Sequence, residues 1–208
     1  MVSDLLSVSI HQFKADCLQL CEQHYPTVHN RGMRGNHLGK TLCRRILSTL
    51  KQADIPAELH QGHHDDALEQ PIFRIETPSF TLWIIAHHLV SANLARREAL
   101  VQSVNTACQQ IDEEKQHHLL IVSDHWFDRS KASKEIPAWW LGQLPTNTSD
   151  YLADGIRLQE CAETLPECLQ QKYLLSEGQH QIHHPLKRNG GDKIVHRYIL
   201  LTAYYQIR

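Results

Sequence analysis

Residues 80–89 read FTLWIIAHHL, and residues 119–122 read LLIV. Both stretches are short and largely apolar, which is typical of strands that are buried within a sheet. Between them, residues 93–115 are rich in Ala, Leu, Val, Gln and Glu and contain no Gly or Pro, so we expect the longest helix of the chain there. A strand, a helix and a second strand in this order predict a parallel strand pair joined by a crossover connection.

The segments before this pair predict the rest of an α/β core. Apolar residues recur at helical spacing over residues 10–24, and a second amphipathic helix is predicted from Asn36, with Leu and Ile along one face. Residues 57–60 and 72–76 predict two further strands. The order helix, three strands, helix and strand therefore predicts an α/β fold with its core at about residues 36–122.

The C-terminal extension, about residues 123–208, is predicted to belong to the same single domain, residues 1–208. We expect a loop at Trp139-Trp140, helices that begin near Ser149 and Thr164, a long polar loop over residues 178–192, and a closing helix over residues 194–205. The spacing of apolar residues favours a helix in that last segment, although its β-branched and aromatic residues also suit a strand.

Composition limits the classes of function that this chain can have. Its 208 residues, 41% hydrophobic and 21% charged, suffice for one globular core, and a formal charge of -2 argues against binding a polyanion over the whole surface. The most apolar stretch, residues 80–86, is far shorter than the ~20 residues that span a bilayer. Six irregularly spaced cysteines and the absence of signal-peptide features at the start predict reduced thiols, a cytoplasmic location and no membrane association.

Residues 35–41, GNHLGKT, invite comparison with the phosphate-binding P-loop, but only three residues separate the two glycines where that motif has four. Asp124 follows the strand at residues 119–122, as an acidic residue does near magnesium in P-loop enzymes, yet any buried strand that reaches a sheet edge looks the same. We therefore predict an ordinary helix start at Gly35 and no nucleotide binding.

A cluster of basic residues surrounds the start of this helix and follows its exposed face: Arg31, Arg34, Lys40, Arg44 and Arg45. Positive side chains near a helix N-terminus favour phosphate groups, so these residues are predicted to bind nucleic acid. A solvated basic face without a ligand is the alternative.

The sixteen histidines include four adjacent pairs, which raises the question of a metal site. Neighbours in a strand point to opposite faces, so a pair there can offer only one ligand to each side. The candidate transition-metal site is therefore the loop that contains His63, His64, Asp65 and Asp66. The sequence leaves the identity of any cofactor open.

The element order, together with the strand Trp83-Ile84-Ile85, resembles the core of the PD-(D/E)XK nuclease-like superfamily over about residues 36–122. In that family an acidic residue on the second core strand and Glu-x-Lys on the third hold Mg²⁺ for phosphodiester cleavage. Glu76 is the counterpart of the first acidic residue and the candidate catalytic residue, whereas Ala86 and His88 stand where Glu and Lys are expected. The resemblance implies a core that was kept for binding after catalysis was lost.

These observations predict a non-catalytic or degenerate nuclease-like subunit that acts in a nucleic-acid-handling or defence-type assembly. Trp126, Trp139 and Trp140 are predicted to be exposed and to contact a protein partner or a second copy of the chain. Two alternatives stay open, a histidine-based metal-dependent hydrolase and a protein-interaction module with no nucleic-acid role.

Overall fold

A mixed sheet lies at the centre of the fold in the computed structural model, which describes residues 2–23, 35–62, 71–89, 93–112, 115–187 and 193–207. In chain order the elements are α1 (Val2–Gln23), α2 (Gly35–Gln52), β1 (Glu58–Gln61), β2 (Ile72–Glu76), β3 (Phe80–His88), α3 (Leu94–Cys108), β4 (Gln116–Trp126), α4 (Lys131–Leu141), α5 (Thr148–Ala153), α6 (Leu165–Tyr173), β5 (Gln179–His183) and β6 (Tyr198–Ile207). The predicted α/β fold is confirmed.

The strands are arranged across the sheet in the order β1-β2-β3-β4-β6-β5. β1, β2 and β3 form an antiparallel meander, and β3 then pairs with β4 in parallel, with α3 as the predicted crossover. β6 pairs antiparallel with β4 on one side and with β5 on the other. The central strands β3, β4 and β6 therefore lie between partners on both edges.

Helices cover both faces of the sheet, which explains why its central strands read as continuous apolar runs. Trp83 and Ile85 of β3, with Ile121 of β4, pack into a core that also contains side chains of α3, α4, α5 and α6. The alternate residues Ile84 and Val122 pack instead into a second core with side chains of α1 and α2. Successive residues of β3 and β4 thus belong to different cores.

α2 approaches β3 more closely than an ordinary side chain would allow. A Cβ added at Gly39 would clash with the ring of Phe73 and would lie 2.7 Å from the Cβ of Ala86. Only glycine fits at this point, so the first turns of α2 lie directly over the end of β3 that carries Ala86.

Several sequence predictions for local structure are wrong. The closing segment forms β6, because its β-branched and aromatic residues pair with β4 along ten positions and are mostly buried on both faces. Part of the predicted polar loop over residues 178–192 forms the edge strand β5. α1, with 22 residues, is longer than α3, with 15.

The prediction that the tryptophans are exposed is also corrected by the structure. Trp139 and Trp140 lie within α4 and are buried, with exposed fractions of 4% and 0%, and Trp126 is half-buried. α4 is amphipathic, and the indole Nε1 of Trp140 donates to the Thr202 carbonyl at 3.2 Å. These side chains hold α4 against the sheet and are not available as a protein-binding surface.

The helices near Ser149 and Thr164 are confirmed as α5 and α6. Five cysteines are free thiols: Cys17, Cys43, Cys108, Cys161 and Cys168. Within the described ranges, every helix is too short or too polar to cross a membrane.

Gly39→Ala tests the close packing of α2 on β3. At an open helix position this change stabilises by about 1 kcal/mol. Here we expect a loss of about 1–3 kcal/mol of unfolding free energy, because the added methyl group overpacks the contact with Phe73 and Ala86. Urea denaturation measures the difference. The second change Phe73→Leu should restore part of the loss, whereas a stabilised Gly39→Ala variant would contradict this packing.

Candidate functional site

α2 is strongly basic, and its cations differ in how they are held. The helix contains Lys40, Arg44, Arg45 and Lys51 and no Asp or Glu. Lys40 and Arg44 are exposed to solvent. Arg45 instead forms a two-point ion pair with Asp16 of α1, Nε to Oδ2 at 2.8 Å and Nη2 to Oδ1 at 2.6 Å. Arg45 therefore joins α1 to α2. Lys40, Arg44 and Lys51 are exposed, and Lys40 and Arg44 lie in the N-terminal half of the helix.

A groove of about 400 Å³ lies beside this ion pair, between α1 and α2. Its lining residues are Asp16, Gln19, His37, Thr41, Arg44, Arg45 and Ser48. The lining residues of α2 recur every three or four positions, so they form one face of the helix. Because the one carboxylate of the groove is already bound by Arg45, the remaining charge of the groove is positive. Arg31 and Arg34 lie outside the described residues, and their predicted role stays a prediction.

Residues 35–41 are helical from Gly35 onward, as predicted for an ordinary helix start. The Thr41 hydroxyl donates to the His37 carbonyl at 2.9 Å, one helical turn earlier. A P-loop must instead wrap its backbone N–H groups around a phosphate before the helix begins. This segment does not have that conformation.

Glu76, the predicted catalytic residue, is placed far from Ala86. In the β2–β3 pair, Glu76 lies opposite Thr81, five residues before Ala86. At about 3.3 Å per strand residue, this register separates the two backbone positions by roughly 16 Å. Glu76 binds Arg74 at 2.8 Å and lies 3.8 Å from the His60 imidazole, so its carboxylate takes part in ion pairs on the outer side of the hairpin.

The carboxyl ends of the parallel strands β3 and β4 hold a buried carboxylate instead. His88 lies opposite Asp124, and its Nδ1 is 2.6 Å from Asp124 Oδ1. The Tyr198 hydroxyl donates to Asp124 Oδ2 at 3.2 Å. Asp124 is fully buried and the His88 side chain is 12% exposed, so the carboxylate fixes an imidazole that still reaches the surface. This end of the sheet therefore has a histidine held by a buried aspartate.

The His88–Asp124 pair could have been inferred from the sequence. Both residues follow apolar runs that are predicted to pair in parallel, and the carboxyl ends of parallel neighbours meet at the same edge of a sheet. The ion pair between Arg45 and Asp16 could not be inferred in this way, because it depends on how α1 and α2 pack together.

On the opposite face of the same strands, two neighbouring histidines are fully buried, with different surroundings. His125 Nδ1 donates to the Leu89 carbonyl at 2.7 Å, and its Nε2 accepts from the Ser133 hydroxyl at 2.6 Å. Neither ring nitrogen of His87 has a hydrogen-bond partner among the described residues. Adjacent His87 and His88 thus point to opposite faces, as expected for a strand.

The predicted metal site at His63, His64, Asp65 and Asp66 lies outside the described residues and stays a prediction. Within the described ranges, no group of three or more His, Cys, Asp and Glu side chains is placed to hold a metal ion.

No model of a known protein family matches this chain. No curated protein matches it either. Function must therefore be inferred from the residues themselves.

Burial lowers the pKa of five histidines to about 4: His87, His118, His180, His183 and His184. These side chains are neutral in the folded protein at neutral pH. Because histidines in the unfolded chain titrate near pH ~6.5, the unfolded state binds more protons between about pH 6.5 and 4, and stability falls as the pH falls through this range.

His87→Leu separates the effect of burial from that of hydrogen bonding. Since neither nitrogen of His87 is bonded, we expect unchanged or slightly raised stability at pH 7.5. Loss of a histidine whose pKa is about 4 should also reduce proton uptake on unfolding by about one proton between pH 6.5 and 4. Urea unfolding over a pH series measures both effects.

His125→Leu is the matched comparison, because His125 is equally buried and both of its nitrogens are bonded. We expect it to lose about 2–4 kcal/mol at pH 7.5, because two hydrogen bonds are broken and the Ser133 hydroxyl proton loses its acceptor. Equal losses in the two variants would mean that His87 has a polar partner which leucine cannot replace.

Proposed function

We propose that this chain is a degenerate nuclease-like subunit that binds nucleic acid through the basic groove between α1 and α2 and does not cleave it. The observation that carries the proposal is the exposure of Lys40 and Arg44 on a helix without carboxylates, beside a groove whose only acidic residue is neutralised by Arg45. When exposed lysine and arginine side chains contact phosphates, the cations that were condensed on the DNA or RNA are released into solution. This release favours association.

The geometry around Ala86 supports the loss of cleavage. Metal-dependent phosphodiester cleavage requires acidic ligands that converge on the metal. Ala86 provides no ligand, its methyl group packs against Gly39 of α2, and Glu76 lies at the other end of the hairpin. We infer that a carboxylate at position 86 and glycine-mediated packing of α2 on this strand exclude each other.

A role within a larger nucleic-acid-handling or defence-type assembly is part of the same proposal. Among the described residues, β1 and β5 are the outer strands of the sheet, and each pairs along one edge only. Such edges provide backbone donors and acceptors for a strand of a partner or of a second copy. A histidine-based metal hydrolase, with ligands from His63 to Asp66, and a plain protein-interaction module are the alternatives.

Lys40→Ala with Arg44→Ala tests the binding surface. We expect weaker binding to both DNA and RNA oligonucleotides, about equally for different sequences, because phosphate contacts do not read bases. The slope of log affinity against log salt should become shallower by about 1.4–1.8 units if each residue contacts one phosphate. Fluorescence anisotropy at several salt concentrations measures both quantities.

Arg157→Ala with Lys172→Ala is the matched control, since it removes two exposed cations near α5 and α6, on the other side of the sheet. This control should leave the salt slope almost unchanged. Equal effects of the two double variants would mean unspecific attraction. Absence of salt-dependent binding, by the chain alone and with its partners, would leave the protein-interaction module.

Cleavage assays test the second half of the proposal. We expect no cutting of single- or double-stranded DNA or RNA in Mg²⁺ or Mn²⁺, and no effect of Glu76→Ala on binding. Metal-dependent cutting that is lost in Glu76→Ala would reveal an active enzyme with a rearranged site. Cutting that needs no metal and is lost in His88→Asn would instead make His88, held by Asp124, a proton-transferring residue.

A further inference from the structure

A second polar cavity lies on the other side of α1, between this helix and the β5–β6 hairpin. It has a volume of about 180 Å³, which is enough for one tetrahedral oxyanion. α1 contributes Ser3, Ser7 and Lys14, which lie on one face of the helix. The sheet contributes His183 and Thr202, among others.

The side chains that line this cavity favour an anionic ligand. Among the described residues its lining contains no Asp or Glu, whereas Lys14 provides a basic side chain, and His11 and the bonded pair His183–Thr202 each provide a hydrogen-bond donor. Other hydroxyl and amide groups complete the lining, including Ser3, Ser7 and Gln181. A metal cation would find no charged ligand here, and an apolar ligand would leave these polar groups without partners.

Two contacts fix the sheet side of the cavity. His183 Nε2 is bonded to the Thr202 hydroxyl at 2.8 Å, which sets the orientation of the imidazole. The Tyr204 hydroxyl is bonded to His118 Nδ1 at 2.8 Å. Burial, and then the positive charge of Lys14, lowers the pKa of His183 to about 4, so the positive potential of Lys14 extends to the imidazole. A bound anion would offset this potential.

We propose that the cavity between α1 and the β5–β6 hairpin is a binding site for a small oxyanion, phosphate or the terminal phosphate of a larger molecule, held by Lys14 and by the one remaining donor of the bonded pair His183–Thr202. The site is separate from the α1–α2 groove, which is lined by other residues of α1. Its existence does not depend on nucleic-acid binding by that groove.

Titration of the intact protein with inorganic phosphate at constant ionic strength, with chloride as the reference salt, tests the site. We expect saturable binding by calorimetry and a phosphate-dependent rise in Tm. Lys14→Met keeps most of the side-chain stem and removes the charge. It should weaken phosphate binding about ten-fold, the effect of one charge-assisted hydrogen bond. Thr202→Val should weaken it less.

Lys51→Met, an exposed cation of α2 outside the cavity, is the charge-matched control and should bind phosphate normally. The Lys40→Ala, Arg44→Ala double variant should also keep phosphate binding, which separates this site from the proposed nucleic-acid surface. Failure of phosphate to bind beyond chloride, or an equal loss in Lys14→Met and Lys51→Met, would overturn the proposal.

Oligonucleotides with and without a 5′-phosphate distinguish the two sources of the anion. If the 5′-phosphate strengthens binding in a way that Lys14→Met abolishes and free phosphate competes away, the site holds a strand end. If phosphate binds while the 5′-phosphate has no effect, the ligand is a free oxyanion. The first result identifies the source as nucleic acid and the second as a small molecule, and each supports the site.

Discussion

The parallel pairing of β3 with β4 is the constraint on which the rest of this structure depends. Two parallel neighbours require a connection that crosses from one end of the sheet to the other, and α3 provides it. Because both strands are covered by helices on both faces, nearly every residue in them must be apolar or internally bonded. The same pairing brings the ends of both strands to one edge, where Asp124 and His88 meet.

The parts of the fold that follow from local pattern were predictable from sequence, and those that follow from distant contacts were not. β3 and β4 could be recognised because burial on both faces leaves an uninterrupted apolar run. β5 has a polar, histidine-rich sequence because it is an edge strand, and its residues resemble a loop. The tryptophans of α4 looked exposed in sequence because Pro137 lies within the helix beside them and hides its helical pattern.

The candidate site shows the same division. The sequence shows that α2 is basic, but it does not show which of its cations are ion-paired. Arg44 is exposed, while its neighbour Arg45 is bound to Asp16, 29 residues away. The separation of Glu76 from Ala86 depends on the register of one hairpin, which a short turn at Pro78 sets. A shift of one residue in the register of this hairpin, or in the packing of α1 on α2, would place different side chains at the surface. Which arrangement forms depends on three-dimensional packing.

The position of β6 in the sheet also has a consequence for synthesis of the chain. β4 is complete at Trp126, but the strand that covers its second edge begins at Tyr198, so α4, α5, α6 and β5 are all translated in between. During that interval a central strand whose residues are mostly buried in the folded protein has an unpaired edge, which is a template for pairing with other chains. The nascent chain is therefore most prone to aggregate while its C-terminal third is on the ribosome, and binding by a chaperone at that stage would protect it.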